Sequence, residues 1–148
     1  LLTTSKTYDV ITAEPPPPTN AGAVNLYTKE YYELAKKALN PGGIVSQWIP
    51  LHSQTETHIY EHFRTFLESF PYVISWYPAK QELILIGSND PINIDFRKIE
   101  KRLKHPVTNE VMQKIRFENP FALLGSIWFL KEEFINDIKV VNWMTNFK

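Results

Sequence analysis

The sequence of 148 residues contains no cysteine, which excludes disulfides, thiolate metal sites and a cysteine nucleophile. Its 16 basic residues balance 16 acidic ones, so no global field recruits nucleic acid or anionic lipid. The longest apolar stretch, Phe121–Leu130, is too short to span a bilayer. Residues 1–4 lack the basic-then-apolar layout of a signal peptide. We therefore expect no membrane segment in this chain, no nucleic-acid partner and a cytoplasmic location.

The sequence also lacks a G-x-G-x-x-G loop, which follows the first strand in cofactor-binding α/β domains. We therefore expect part of a larger fold, with no cofactor held by this chain alone. The aromatic share of 14% is high and predicts either a heavy core or a partner surface. If half of a sheet is missing, its exposed edge and faces need covering, so we expect self-association as a homo-oligomer.

The order of apolar segments predicts an α/β fold. Tyr8–Ala13 is apolar and β-branched, as in a strand covered on both faces. Pro15–Pro18 cannot continue a strand, so this strand must stop at Glu14. Thr28 is a natural N-cap for the helix that follows, and Ile44–Ile49 reads as the next strand.

The pattern changes after residue 90. Before it, the capping box at 53–56 begins a second helix, and Tyr72–Tyr77 with Glu82–Ser88 predicts an antiparallel hairpin at one edge of the sheet. After it, four short amphipathic helices are predicted with little strand signal. They are Phe96–Leu103, Val107–Ile115, Pro120–Trp128 and Lys131–Ile138. We therefore divide the chain into an α/β unit, residues 1–90, and a helical C-terminal appendage, residues 91–148.

Glu14 is the main candidate for chemistry. It is an acid at the carboxyl end of a predicted strand, and ligands of open α/β sheets bind outside these ends. Its structural alternative is a loop-capping carboxylate that accepts backbone N–H groups. Pro15–Pro18 could form a rigid pocket wall, although ending the strand is reason enough for them.

The histidines offer a weaker signal. His58, Glu61 and His62 spell H-x-x-E-H, in which two histidines could bind zinc while the glutamate acts on water. A third ligand is needed, and the histidines flank an apolar helix stripe, so we interpret them as a solvated helix border and expect no metal. His52, after the strand that ends at Pro50, could face the cleft but is more simply a bystander.

Several segments together are specific: YDVI followed by E-P, then NLYTKEYYELAKKALNPGG with a later glutamine, and WYPAKQELILIGS. They resemble the C-terminal half of the catalytic domain in the spermidine synthase-like (polyamine aminopropyltransferase) family. The resemblance covers residues 7–90 well and the tail loosely. It implies a Rossmann-like sheet of the class I methyltransferase type. The implied activity belongs to polyamine biosynthesis: transfer of an aminopropyl group from decarboxylated S-adenosylmethionine to an amine such as putrescine.

The resemblance also implies roles for particular residues. Glu14 matches the family's acid, which orients the attacking amine and helps remove its proton. Gln47 matches the glutamine after PGG, and Tyr77 matches the hairpin tyrosine on the amine side of the pocket, so both are implied to bind substrate. The sequence departs from typical synthases at Pro17, where they carry a second aspartate that contacts the polycation. The family's cofactor loop and ribose-binding acid lie upstream of these segments, so no cofactor-binding residue is assigned.

Three functions therefore stay open. The first is a spermidine synthase-like transferase, favoured for the parent protein by NLYT, PGG and Glu14. The second is a non-catalytic dimerisation or binding module derived from that fold, favoured for this chain alone by Pro17 and the missing glycine loop, which predict an inactive fragment. The third is an S-adenosylmethionine-dependent methyltransferase, because that sheet is shared and a fold does not settle chemistry.

Overall fold

The computed structural model describes residues 5–17, 20, 22–52 and 54–131. These residues form a five-stranded open sheet with several helices, which confirms a mixed α/β fold. The strands are β1 (Tyr8–Ala13), β2 (Leu39–Pro50), β3 (Tyr72–Ala79), β4 (Glu82–Ser88) and β5 (Ile127–Leu130). The α-helices are α1 (Lys29–Lys37), α2 (Glu56–Ser69), α3 (Phe96–Leu103), α4 (Pro106–Lys114) and α5 (Pro120–Gly125), and a 3₁₀ helix spans Ala23–Tyr27.

The strand order in the sheet is β1-β2-β4-β3-β5. Strand β1 pairs with β2 in parallel, and β4 is antiparallel to both β2 and β3. Strands β1, β2 and β3 therefore run in one direction, so their carboxyl ends lie along the same edge of the sheet.

The hairpin of β3 and β4 is not at an edge of the described sheet, which corrects the sequence-based expectation. Strand β4 inserts between β2 and β3, and β5 pairs with the outer side of β3. The helix predicted for Pro120–Trp128 stops at Gly125, and its last two predicted residues, Ile127 and Trp128, belong to strand β5. The apolar run IWFL instead pairs with residues 74–76, which supplies partners for the backbone groups of β3.

Two threonine caps start the helices on one side of the sheet. The Thr28 hydroxyl accepts a hydrogen bond from the Tyr31 N–H, so the predicted N-cap of α1 is confirmed. In α2 the cap is Thr55, whose hydroxyl accepts from the His58 N–H. The predicted capping box at 53–56 therefore started this helix two residues too early.

The main core lies between the sheet and helices α1 and α2. Gly87 of β4 allows this packing, because an added Cβ would lie 2.5 Å from the Phe70 ring and 2.9 Å from that of Phe66. Burial of these apolar surfaces is the main favourable contribution to the stability of this layer. The core consists of aromatic and aliphatic side chains: Tyr32, Ala35, Leu39, Val45, Ile49, Phe63, Phe66, Leu67, Phe70, Val73, Leu83 and Leu85.

The opposite face of the sheet is covered by part of the C-terminal segment. Helix α3 spans the predicted residues, and α4 is shifted by one residue from its prediction. A cavity of about 300 Å³ lies among apolar side chains from the sheet, the 92–99 segment, α5 and β5, including Ile44, Trp76 and Leu123. The predicted helix Lys131–Ile138 lies outside the described residues beyond Lys131. In the part of the chain described here, no helix is long and apolar enough to cross a membrane.

Candidate functional site

The carboxyl ends of β1 and β2 bring two of the predicted site residues close together. Ala13 of β1 is the register partner of Gln47 of β2, and Glu14 follows Ala13 directly. Neighbouring strands lie about 4.8 Å apart, so the backbone of Glu14 is close to that of Gln47. Glu14 is exposed at this edge, whereas Gln47 is buried.

Gln47 is a buried polar side chain of β2. It has no exposed surface, and its Nε2 donates to the backbone oxygen of Trp48 at 3.3 Å. Its Oε1 has no hydrogen-bond partner among the described residues. A buried acceptor without a donor costs about 1–3 kcal/mol, so such a group calls for an explanation, such as a ligand.

Tyr77 lies in β3, near the same edge of the sheet but several strands away from Glu14. Its hydroxyl accepts a hydrogen bond from the Gln81 N–H at 3.1 Å, across the turn that joins β3 and β4. Its backbone N–H donates to the Ser126 oxygen at 2.8 Å. Three strand spacings separate β3 from β1, or about 14 Å, so the structure does not bring Tyr77 next to Glu14. Its role in substrate binding stays a prediction.

Tyr27 contacts the proline segment that follows Glu14. Its hydroxyl donates to the backbone oxygens of Pro15 at 3.3 Å and Pro16 at 3.4 Å. Tyr27 is buried, and burial raises its pKa to about 12, so the hydroxyl keeps its proton at any ordinary pH. The Tyr27 side chain thus holds the proline segment that follows Glu14.

His62 packs against the other side of this contact. The centroid of its ring lies 4.4 Å from that of Tyr27, and the two planes are tilted by 36°. Its Nε2 is buried without a hydrogen-bond partner in the described chain. Burial lowers the pKa of His62, and the nearby His58 adds to this effect, while Glu61 acts against it. His62 is therefore neutral at neutral pH.

This position corrects the interpretation of His62 as part of a solvated helix border. His58 and Glu61 are exposed on α2, but His62 faces the layer that contains Tyr27. No group of three or more metal-binding side chains occurs within the described ranges. The Tyr27–His62 contact has no local signal in the sequence, because the two residues are far apart in the chain and belong to different helical segments.

His52 lies in a second polar group at the same edge. Its ring centroid is 6.1 Å from that of Trp48, and the Trp48 Nε1 donates to the carboxylate of Glu82. His52 is half-buried and follows the end of β2. His52 therefore lies near this edge with an aromatic ring as its neighbour, and a role at the cleft stays a prediction.

No protein-family model matches the chain. The chain is 42% identical over 53 residues to the polyamine aminopropyltransferase of Aeropyrum pernix. The match includes 34% of this chain and 17% of that protein, so the chain spans less than a fifth of this relative's length. A match of this extent supports the aminopropyltransferase resemblance without establishing membership of the family.

Proposed function

We propose that this chain supplies the amine-binding part of an aminopropyltransferase-like active site. In this proposal Glu14 orients the attacking amine and takes up its proton, and the Gln47 Oε1 accepts an N–H from the same amine. The proposal concerns the parent protein, because the segment matched in the A. pernix enzyme is 17% of that protein's length.

The buried Gln47 Oε1 beside Glu14 is the observation that supports this proposal most directly. An alkylammonium group is only a hydrogen-bond donor, so it fits a carboxylate and a buried amide oxygen that has no donor among the described residues. The parallel register pairs Ala13, the residue before Glu14, with Gln47 on the neighbouring strand. A neutral or anionic substrate would find no donor in this pair of oxygen atoms.

The chemistry expected of such a site is a displacement at carbon. The ammonium first loses a proton to Glu14, because a protonated amine has no lone pair. The amine nitrogen then attacks the aminopropyl carbon that is attached to the sulfonium of decarboxylated S-adenosylmethionine. As the new N–C bond forms, the C–S bond breaks, its electrons pass to sulfur, and methylthioadenosine leaves.

Pro17 limits the range of amines that we expect the site to accept. It stands where typical synthases have a second acid, so the pocket offers one fewer anionic contact to a diamine. We therefore expect the acceptor to be recognised mainly at one ammonium group, near Glu14. A panel of monoamines and diamines of different length would identify it.

The test is turnover by the full-length gene product with decarboxylated S-adenosylmethionine and this amine panel, with products detected by mass spectrometry. We expect Glu14→Gln to reduce kcat by roughly 10²- to 10⁴-fold, the usual contribution of general acid–base catalysis. Glu118→Gln, at an exposed position on the C-terminal side of the chain, is the matched control. Absence of transfer to any amine, or full activity of Glu14→Gln, would overturn the proposal.

The exposed strand β1 favours a second candidate, a non-catalytic association module. Strand β1 is an edge of the described sheet, and its Val10 is 56% exposed. Exposed apolar edge strands promote pairing with another chain. Analytical ultracentrifugation of the parent chain and of a Val10→Lys variant tests this function. Self-association of the parent that is lost in Val10→Lys, together with no transferase activity in the parent, would support the association module.

A further inference from the structure

The start of the proline segment has few ways to be held in place. Proline has no backbone N–H, so residues 15–18 offer only carbonyl oxygens for hydrogen bonds. In the described ranges the Asn20 N–H donates to the Pro17 oxygen at 2.9 Å. The oxygens of Pro15 and Pro16 receive the Tyr27 hydroxyl instead. We call this contact the Tyr27 clamp.

Tyr27 itself is held firmly on both sides. It ends the 3₁₀ helix and is followed by Thr28, whose hydroxyl donates to the Asn25 oxygen at 3.1 Å and caps α1. Its ring packs on His62, which α2 carries into the same layer. The position of the hydroxyl is therefore set by two helices rather than by the loop that it contacts.

We propose that Tyr27 is a positioning residue for Glu14, and that the His62 ring holds Tyr27 in place. This inference rests on the proposed function of Glu14. On its N-terminal side, Glu14 is fixed by the ladder between Ala13 and Gln47. On its C-terminal side, the Tyr27 clamp fixes the next two carbonyls. The carboxylate is exposed, so its reach toward an amine depends on these two attachments.

The clamp has the character of a positioning contact rather than of a core contact. The Tyr27 hydroxyl shares one proton between two acceptors, and its oxygen lies 3.3 and 3.4 Å from them. Both hydrogen bonds are long, so each is weak. Removing this hydroxyl leaves the ring and its packing on His62 intact. A Tyr27→Phe variant should therefore fold as the parent does and lose only the attachment of the segment after Glu14.

The first measurement is hydrogen exchange of the Asn20 amide by NMR. Its acceptor, Pro17, lies just after the two clamped prolines, so release of the clamp should expose it. We expect Tyr27→Phe to increase the exchange rate of Asn20 by about tenfold through local opening, with unchanged rates for core amides such as Leu85. Tyr60→Phe, at an exposed tyrosine of α2, is the matched control and should leave Asn20 unchanged.

The contribution of His62 is tested by two substitutions. His62→Phe keeps a ring against Tyr27 and removes the nitrogen atoms, so we expect exchange at Asn20 close to that of the parent. His62→Ala removes the ring, so we expect faster exchange at Asn20, as in Tyr27→Phe. Equal rates in the two His62 variants would overturn the part assigned to this ring.

Turnover of the full-length protein gives the second measurement. We expect Tyr27→Phe to lower kcat by about tenfold to a hundredfold, the scale of a misplaced catalytic group, with KM changed less than about threefold. An Asn20 amide that exchanges at the parent rate, or unchanged kcat in an active enzyme, overturns the proposal. Faster exchange together with no transfer to any amine refutes the transferase function, and faster exchange with full activity of Glu14→Gln refutes the role of Glu14; in both cases the Tyr27 clamp itself stands.

Discussion

Ala13 of β1 and Gln47 of β2 are register partners in the only parallel pair among the described strands. Gln47 is fully buried beside the strand end that leads into Glu14. The pairing joins an exposed carboxylate and a buried amide that are 33 positions apart in the chain. It puts one acidic and one amide side chain on neighbouring strands near this edge of the sheet.

We expect Gln47→Met to separate stability from function. Methionine has nearly the same shape but no buried Oε1, so the free energy of unfolding should be unchanged or higher by up to about 1 kcal/mol. Amine binding by the full-length protein should weaken by about tenfold, because one hydrogen bond to the ligand is lost. Urea unfolding and calorimetric titration measure the two effects. A loss of more than about 1 kcal/mol in stability would show that Gln47 is a structural residue.

The stability of the chain should depend on pH through His62. Its pKa in the folded chain is lowered by burial, so the unfolded chain binds a proton at a higher pH than the folded chain does. At a pH well above 6.5, the ordinary pKa of histidine, His62 is neutral in both states and has no effect on stability. As the pH falls below 6.5, the unfolded chain takes up the proton first, so the free energy of unfolding decreases. Its limiting slope is about 1.4 kcal/mol per pH unit.

The control for this pH effect is His62→Phe, which cannot take up a proton. We would measure the free energy of unfolding of both proteins in urea between pH 8 and pH 5. Above about pH 7 the difference between the two should be constant, and below it the parent should lose stability relative to His62→Phe. Identical pH profiles would mean that His62 titrates normally in the folded chain.

Gly87→Ala should destabilise the chain by about 1–3 kcal/mol, as expected when a methyl group is forced into a filled core. The added Cβ would lie 2.5 Å from the Phe70 ring, which is buried between α2 and the sheet. Gly125→Ala is the control, because no atom lies within 4 Å of a Cβ added there. A lower thermal midpoint for both variants, or for neither, would contradict the packing described for Gly87.

The elements near the site were predictable because their signals are local. The proline run ended β1 as expected, Thr28 capped α1, and the apolar stripe of α2 that includes Phe63 and Phe66 lies in the core. Each of these follows from neighbouring residues: a missing N–H, a hydroxyl at the right place or a helical repeat. The α/β class followed from their order along the chain.

Strand β5 and the position of the hairpin could not be predicted in the same way. Ile127–Leu130 continues an apolar pattern that fits a helix as well as a strand, and only the unpaired backbone of β3 decides between them. His62 was likewise misjudged, because its burial depends on Tyr27, which is brought to it by the packing of α1 against α2.

The sequence alone therefore determined where β1 ends, the acid that follows it and the resemblance on which the proposed chemistry rests. These depend on local backbone chemistry and on short segments. The tertiary structure decided which groups meet: Gln47 beside the end of β1, Tyr77 three strands away, and Tyr27 between the prolines and His62. Such contacts depend on register and helix packing, which join residues far apart in the chain and leave no local signal.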